Sequence, residues 1–301
     1  MKAVVYNQYG PPNVLKLTMI DKPVPKSNEL LVKIYATSVT AGDWRLRKAD
    51  PVLARLYNGL LRPRRVKILG FELSGIVEAV GNKVSTFKTG DEVFASCGIK
   101  FGAYSEYKCF KEKELITRKP QNLTFEEAAT VPIGCLSALK FLEKAKLKSD
   151  QSVLIYGASG SVGTYAIQLV KYFGSTVTAV CSTNNTDLVK SLGADKVVDY
   201  TKTDFTAGDD RYDIVFDAVG KTSKTKCNPI IKPGGQYISV RGSARHTRQD
   251  IERLRDIIET GKVKPVIDRV YHLEDIREAH AYVEQFRKRG NVAVTVADDI
   301  E

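Results

Sequence analysis

The segment 152–163, SVLIYGASGSVG, constrains this chain more than any other stretch. An apolar run breaks into three glycines and resumes as TYAIQLVKYFG, with apolar residues at helical spacing up to Gly174. The pattern reads as a strand, a tight turn and a helix. Such a turn has two readings. It can be a packing device, or a cradle in which the free N–H groups and positive dipole end of a helix receive a nucleotide diphosphate. Gly157 ends the strand, Gly160 sits in the turn and Gly163 faces the strand from the helix. Ala158 and Ser159 separate the first two glycines, so the spacing is GxxGxxG and not GxGxxG. A glycine triplet alone says little, and the surrounding rhythm has to decide.

That rhythm favours the nucleotide. After the loop come a strand, TVTAVCS, a helix, NTDLVKSLGA, and the strands KVVDY, YDIVFDAVG and GGQYISV. Strands alternating with helices in this way build a parallel sheet with helices on both faces. Residues 1 to about 120 read differently. KAVVYN, NELLVKIYATSV, GIVEAVG, TGDEVFAS and GAYSEYKCF are short strands separated by turn residues, the pattern of a barrel or sandwich. One helical interruption, DWRLRKADPVLARLYNGLL, sets Leu53, Leu56, Tyr57, Leu60 and Leu61 at helical spacing. The region TFEEAATVPIGCLSALKFLEKA is helical, with Thr124 and Glu127 spaced as a capping box. A helix ending at Gly261, the stretch VKPVIDRVY, a further helix and the strand NVAVTV complete the chain.

The length of 301 residues favours two domains. No apolar run approaches the roughly 20 residues that span a bilayer, and the start, MKAVVYNQYGPPNVL, lacks the apolar core of an export signal, so the cytoplasm is the expected compartment. Cys97, Cys109, Cys135, Cys181 and Cys227 are widely spaced, which argues against a disulfide framework and against a zinc knuckle and for reduced thiols. The net charge of +11 is spread along the chain. Its densest patch, RPRRVK at 62–67, has no interleaved aromatic residues. A solvated surface is therefore expected, with neither nucleic acid nor a membrane as partner.

The strand TVTAV ends about twenty residues after the glycine loop, where an NAD site places a carboxylate against the ribose hydroxyls. Here the residues are Cys181, Ser182, Thr183, Asn184 and Asn185. With no carboxylate to repel a 2′-phosphate, and with small polar groups able to donate to one, NADPH is expected over NADH. The same residues also suit a turn in which Asn185 or Thr186 caps the next helix.

In this order, GASGSVG…AIQLVK, SLGADKVVDY, FDAVG and PGGQYISV resemble the zinc-independent quinone oxidoreductase branch of the medium-chain dehydrogenase/reductase superfamily. NELLVKIYATSVTAGDWRLR, LGFELSGIVEAVG, FKTGDEVFA and GAYSEY are similar to its GroES-like domain, and the likeness runs through essentially the whole chain. The resemblance implies an α/β protein: a GroES-like β-barrel domain over residues 1–121 and 266–301, and a Rossmann doubly wound parallel-sheet domain over 122–265. It implies that Ser159, Gly160, Ser161, Val162 and Gly163, following Gly157, hold the pyrophosphate. Ser182, Thr183 and Tyr200 match the 2′-phosphate end, and Ala218, Val219 and Gly220 lie near the ribose and nicotinamide. Thr40 and Thr130 would flank the nicotinamide. Zinc-dependent relatives hold metal with Cys and a His-Glu pair. This chain has Thr40 near the Cys position and Phe71-Glu72 in place of His-Glu, so no zinc is expected. The segment after Gly242, which in relatives carries extra helix, a strand and often the subunit contact, is shortened, which leaves homodimerisation by that route open.

Without a metal to polarise a carbonyl, a quinone or an α,β-unsaturated carbonyl is the better hydride acceptor. The expected function is hydride transfer from NADPH to such a small electrophile, and no residue stands out as proton donor. Two alternatives stay open: a zinc-free alcohol or aldehyde dehydrogenase-like reductase using NAD(H), and a non-enzymatic NADPH-binding protein.

Overall fold

Strand β3 (Glu29–Ser38) is buried along nearly its whole length and is the spine of the N-terminal part. In a computed structural model that describes residues 1–242 and 245–297, the chain divides into two units. The first comprises Met1–Ile133, Thr247–Arg255 and the chain from Ile267 on, and the second comprises Gly134–His246 and Asp256–Val266. The short connection after Gly242 contains Ser243 and Ala244, which lie outside the described residues, as do 298–301 at the end of the expected 266–301 segment.

In the first unit, β1 (Lys2–Val5) and β2 (Lys16–Met19) form a two-stranded antiparallel ribbon. β3 pairs antiparallel with β4 (Glu72–Val80) and with β6 (Tyr107–Lys111), while β5 (Glu92–Ser96) joins β4 to β7 (Ile116–Arg118). The late strand Asn291–Thr295 returns to pair with the other end of β3 and carries Ile267–His272 at the edge. Leu30, Val32, Ile34, Leu73, Val77, Phe110 and Ile116 fill one core, and Val4, Tyr6, Leu15, Trp44, Leu69, Phe101 and Tyr104 belong to another. The expected helical interruption is two helices, α1 (Ala41–Lys48) and the single-turn α2 (Ala54–Asn58). Its leucines do not form a buried stripe: Leu53, Leu56, Leu60 and Leu61 are all exposed. Helical spacing alone does not say whether a neighbour exists to cover the face. Thr124 and Glu127 form the expected capping box at α3 (Phe125–Ala129), with the Glu127 amide donating to Thr124 Oγ1 at 3.2 Å and the Thr124 amide to Glu127 Oε2 at 3.0 Å. Helix α4 (Val131–Lys144) begins in the first unit and continues into the second.

The second unit is built on a five-stranded parallel sheet. β8 (Ser152–Tyr156) lies at its centre between β9 (Thr176–Cys181) and β11 (Tyr212–Asp217), with β10 (Lys196–Asp199) and β12 (Ile231–Ser239) at the edges. The central strands are almost continuously apolar because a parallel sheet is covered on both faces. Leu154, Val180, Phe205, Tyr212, Val215, Cys227 and Ile230 pack together on one of them. Helix α5 (Ser161–Tyr172) runs from β8 toward β9, and Gly174, at φ +78°, ends the connection. All five cysteines are free thiols, with Cys109 alone half-buried and the rest buried.

Candidate cofactor site

At the C-terminal end of β8 the chain turns on Gly157, at φ +80°. The amides of Gly157 and Ala158 both donate to the Val180 carbonyl at 3.1 Å, which clips the loop to β9, and the Gly160 amide donates to the Gly157 carbonyl at 3.1 Å. The bond from the Thr164 amide to the Gly160 carbonyl, 2.9 Å, is the first turn of α5. The amides one turn earlier have no acceptor within the helix and lie at its positive end. The second and third glycines play different parts. A Cβ at Gly163 would lie 2.3 Å from the Gly157 carbonyl oxygen and 2.7 Å from the Ala158 backbone, so helix and loop touch at a distance that only a hydrogen allows. A Cβ at Gly160 would meet nothing of the protein closer than 3.5 Å. Such a Cβ would rest in ordinary van der Waals contact with the Gly157 carbonyl oxygen and, at 3.8 Å, with Val219 Cγ1, so the turn at Gly160 tolerates a small side chain where Gly163 does not.

Around this loop the structure gathers most of the residues expected from sequence. The Asn185 side-chain amide donates to Ser159 Oγ at 3.0 Å and to Ser182 Oγ at 3.1 Å, tying the end of β9 to the glycine loop. The Tyr200 amide donates to the Cys181 carbonyl at 3.1 Å, and the Tyr200 side chain is exposed. Tyr156, Tyr200 and Phe205, with Lys202 and Lys226, line an opening of about 340 Å³ beside them. Val219 packs over Gly157, where an added Cβ would fall 2.5 Å from its Cγ1.

One expectation is corrected. The residues that end β9 include no carboxylate, yet Thr183 there donates its hydroxyl to Asp199 Oδ2 of the neighbouring strand. The other carboxylate oxygen of Asp199 accepts from Thr201 Oγ1 at 2.6 Å and from the Thr201 amide at 3.0 Å. The Thr183 hydroxyl, and then that of Thr201, hold the Asp199 carboxyl down at about 2, and Lys202 Nζ stands 3.8 Å from it. Asp199 escaped notice because a search along β9 cannot see β10. The two strands are parallel neighbours with Asp199 opposite Cys181, so both end at the same edge. The residue was visible in VVDY.

A second residue was missed in FDAVG. Asp217 is fully buried, and its Oδ1 accepts from the amides of Gly220 at 2.8 Å, Lys221 at 3.2 Å and Val219 at 3.3 Å. Its Oδ2 accepts from the Thr222 amide at 3.2 Å and the Tyr237 hydroxyl at 3.1 Å. This one carboxylate shapes the whole Ala218–Gly220 turn.

Thr40 and Thr130 belong to the first unit. Thr40 caps α1, its hydroxyl donating to Asp43 Oδ2 at 2.6 Å and its amide to the same oxygen at 2.8 Å. Thr130 is buried at the end of α3 and donates its hydroxyl to the Glu127 carbonyl at 2.9 Å. Asp43 sits inside the first turn of α1 and also accepts from the Gly70 amide at 2.8 Å. Burial pushes its carboxyl up to about 6. In the Phe71-Glu72 pair, the Phe71 ring covers Gly42 and lies 4.0 Å from the Phe101 ring. Glu72 is buried and accepts from Ser38 Oγ and, at 2.6 Å, from the Ile133 amide. Burial pushes Glu72 up to about 8 and pushes Lys288 down to about 8, with Glu72 drawing the lysine back up. Among the described residues, no three His, Cys, Asp or Glu side chains are gathered so as to hold a metal ion.

Comparison with known proteins matches residues 26–121 to the alcohol dehydrogenase GroES-like domain, and residues 161–263 and 240–294 to zinc-binding dehydrogenase models. The chain is 35% identical to a 2-methylene-furan-3-one reductase of Solanum lycopersicum and 33% identical to a chloroplastic NADPH-dependent alkenal/one oxidoreductase of Arabidopsis thaliana. Each alignment covers 98% of this chain and 79% of the relative. Among solved structures, the quinone oxidoreductase from Coxiella burnetii superposes with a TM-score of 0.85 at 29% identity, over 99% of both chains.

Proposed function

The chain belongs to the medium-chain dehydrogenase/reductase superfamily, in its quinone and alkenal oxidoreductase branch, and on that footing we propose that it transfers hydride from NADPH to a quinone or an α,β-unsaturated carbonyl without zinc. The observation that carries the reading is the Gly157–Gly163 loop, which turns the chain from β8 straight into the N-terminus of α5, the kind of position at which a pyrophosphate is held. We assign Gly157, Ser159, Gly160, Ser161, Val162 and Gly163 to that group, and Ser182, Thr183 and Tyr200 to the ribose and its 2′-substituent. The aromatic walls of Tyr156, Tyr200 and Phe205 suit the flat adenine. Ala218, Val219 and Gly220, fixed by Asp217, go to the nicotinamide half. The first unit, which runs to Ile133 and so takes in more than the expected 1–121, is assigned as the catalytic domain, and the second, Gly134–His246 with Asp256–Val266, as the nucleotide domain.

When bound, NADPH supplies the hydride. The protein's part is to orient the ring, exclude water and donate hydrogen bonds to the oxygen on which charge develops. The reading without zinc rests on Phe71, whose ring offers no lone pair and is packed against Phe101. Among the described residues no helix is long and apolar enough to cross a membrane, and the unpaired cysteines suit a reducing compartment, for which we take the cytoplasm.

The test follows NADPH oxidation by chelator-treated protein against quinones, enones and aldehydes, with NADH in parallel. Turnover of a quinone or enone with NADPH, indifferent to the chelator, is expected. Activity that dies with the chelator and returns with zinc would overturn the metal-free reading. NADPH binding with no turnover of any acceptor would leave a binding protein.

A further inference from the structure

We propose that the surface presented by residues 51–67 of the first unit docks on an anionic lipid bilayer. Five aliphatic side chains stand out from α2 and the turns on either side of it: Val52 is 72% exposed, Leu53 71%, Leu56 72%, Leu60 64% and Leu61 91%. Ile99, 64% exposed, adjoins them, because the Tyr57 hydroxyl donates to its carbonyl at 2.6 Å. Single exposed leucines are ordinary, but a contiguous group of this kind marks a surface that meets something.

The segment is held rigidly in this display. Asn58 is fully buried, and its side-chain amide donates to the Tyr6 hydroxyl at 2.7 Å while its Oδ1 accepts from the Val66 amide at 2.7 Å. The Asn58 carbonyl accepts from the Arg64 amide at 2.7 Å, and the Gly59 carbonyl accepts from the Tyr9 hydroxyl at 2.7 Å. The polar anchor points inward and the leucines point outward.

The charge around the leucines chooses the occupant. Residues 51–67 contain Arg55, Arg62, Arg64, Arg65 and Lys67 and no acidic residue. Arg62, Arg64, Arg65 and Lys67 are exposed, and none of them forms an ion pair among the described residues. A second copy using the same patch would set four exposed cations against four, which opposes a two-fold contact. Nucleic acid would match the charge but has no use for five aliphatic side chains. An anionic bilayer matches both: headgroups meet the cations while leucines enter the boundary between headgroups and acyl chains. This runs against the expectation of a solvated basic surface with no membrane partner, because helical spacing alone leaves these leucines available for a core. The inference does not depend on the cofactor reading.

The test is co-sedimentation of the full chain with vesicles of phosphatidylcholine alone or mixed with phosphatidylserine, at low and high salt. Binding to the mixed vesicles that weakens with salt is expected. Each cation near an anionic leaflet is worth about fivefold in partitioning, so Arg62→Gln/Arg64→Gln/Arg65→Gln should weaken binding to mixed vesicles about a hundredfold. Leu53→Ser/Leu56→Ser/Leu61→Ser should weaken binding at least about tenfold at either salt. Leu61→Ser alone, at the most exposed site, gives the same direction should the triple variant fail to fold. Absence of binding to mixed vesicles at low salt overturns the proposal. So does wild-type binding by the leucine variants, which would put the attraction on the basic surface at large. Loss of a self-associated species in those variants, seen by sedimentation velocity, would make the patch an interface between copies and overturn it equally.

Discussion

Replacing Gly163 with alanine, with Gly160→Ala as its counterpart, separates what the glycine loop does for the fold from what it does for the cofactor. The Gly163 Cβ would sit 2.3 Å from the Gly157 carbonyl oxygen, more than 1 Å inside the roughly 3.5 Å at which non-bonded atoms rest. The nearest atoms are backbone, so no side chain can swing away and α5 must lift from the loop. Such overpacking costs about 1–3 kcal/mol, here the upper part of that range, about 2–3 kcal/mol, because the contacts are with backbone, and the better helix propensity of alanine returns about 1 kcal/mol. A net loss of about 1–2 kcal/mol lowers the melting temperature by about 2–3 °C in a protein of 301 residues. At Gly160 the φ of −83° suits any residue and the nearest atom is 3.5 Å away, so stability should move by less than about 0.5 kcal/mol. Its methyl group would stand at the N-cap of α5, where the proposed pyrophosphate would sit. Losing one hydrogen bond to a charged phosphate costs about 1.5–3 kcal/mol, which raises the NADPH dissociation constant about 10- to 100-fold. Thermal melts and titration of NADPH fluorescence read the two effects. Gly160→Ala binding NADPH as tightly as wild type would refute the cradle, and Gly163→Ala melting with wild type would refute the close packing.

Two further outcomes are expected. Asp199→Asn removes a carboxylate ionised throughout the neutral range and frees the Thr183 hydroxyl, so NADPH should bind several-fold more tightly with NADH little changed. Unchanged or weaker NADPH binding would remove Asp199 from the 2′-end of the site. Burial raises Glu72 from 4.5 to about 8, so the folded state holds a proton that the unfolded state has released. Its stabilising contribution is complete below about pH 4.5 and is lost as pH rises toward 8. Asp43 adds to the fall only up to about pH 6, and Lys288, pushed down from 10.5 to about 8, makes stability rise again above about pH 8. The melting temperature should therefore decline between pH 6 and 8 in the wild type and stay nearly flat in Glu72→Gln, and equal slopes in the two proteins would count against a buried neutral Glu72.

Much of this was legible in the chain itself. Strand, glycine turn and helix at 152–174 form where the pattern places them, because side-chain periodicity and glycine's freedom act over a few residues. The same local chemistry places the capping box of Thr124 and Glu127 and ends the α5 connection at Gly174. Within the second unit the loop, Ser159, Ser182, Thr183, Tyr200 and Val219 come to one edge of the parallel sheet, as the alternating rhythm implies.

What the pattern could not give was contact between separate strands. Asp199 meets Thr183 because β9 and β10 end side by side, a fact of strand order and register that neither segment carries alone. Asp217 reads in sequence as one more residue before a turn, yet burial makes it the acceptor for that turn's amides. The leucines of 53–61 look the same whether a core covers them or water does, and only the inward anchor at Asn58 turns them outward. The sequence by itself determined the local elements and the glycine turn between β8 and α5, since those follow from propensities and steric limits within a turn or two. The tertiary structure alone decided which charges share an edge, which carboxyls lose water and which apolar faces stay uncovered, because burial and electrostatics depend on neighbours that are distant in the chain.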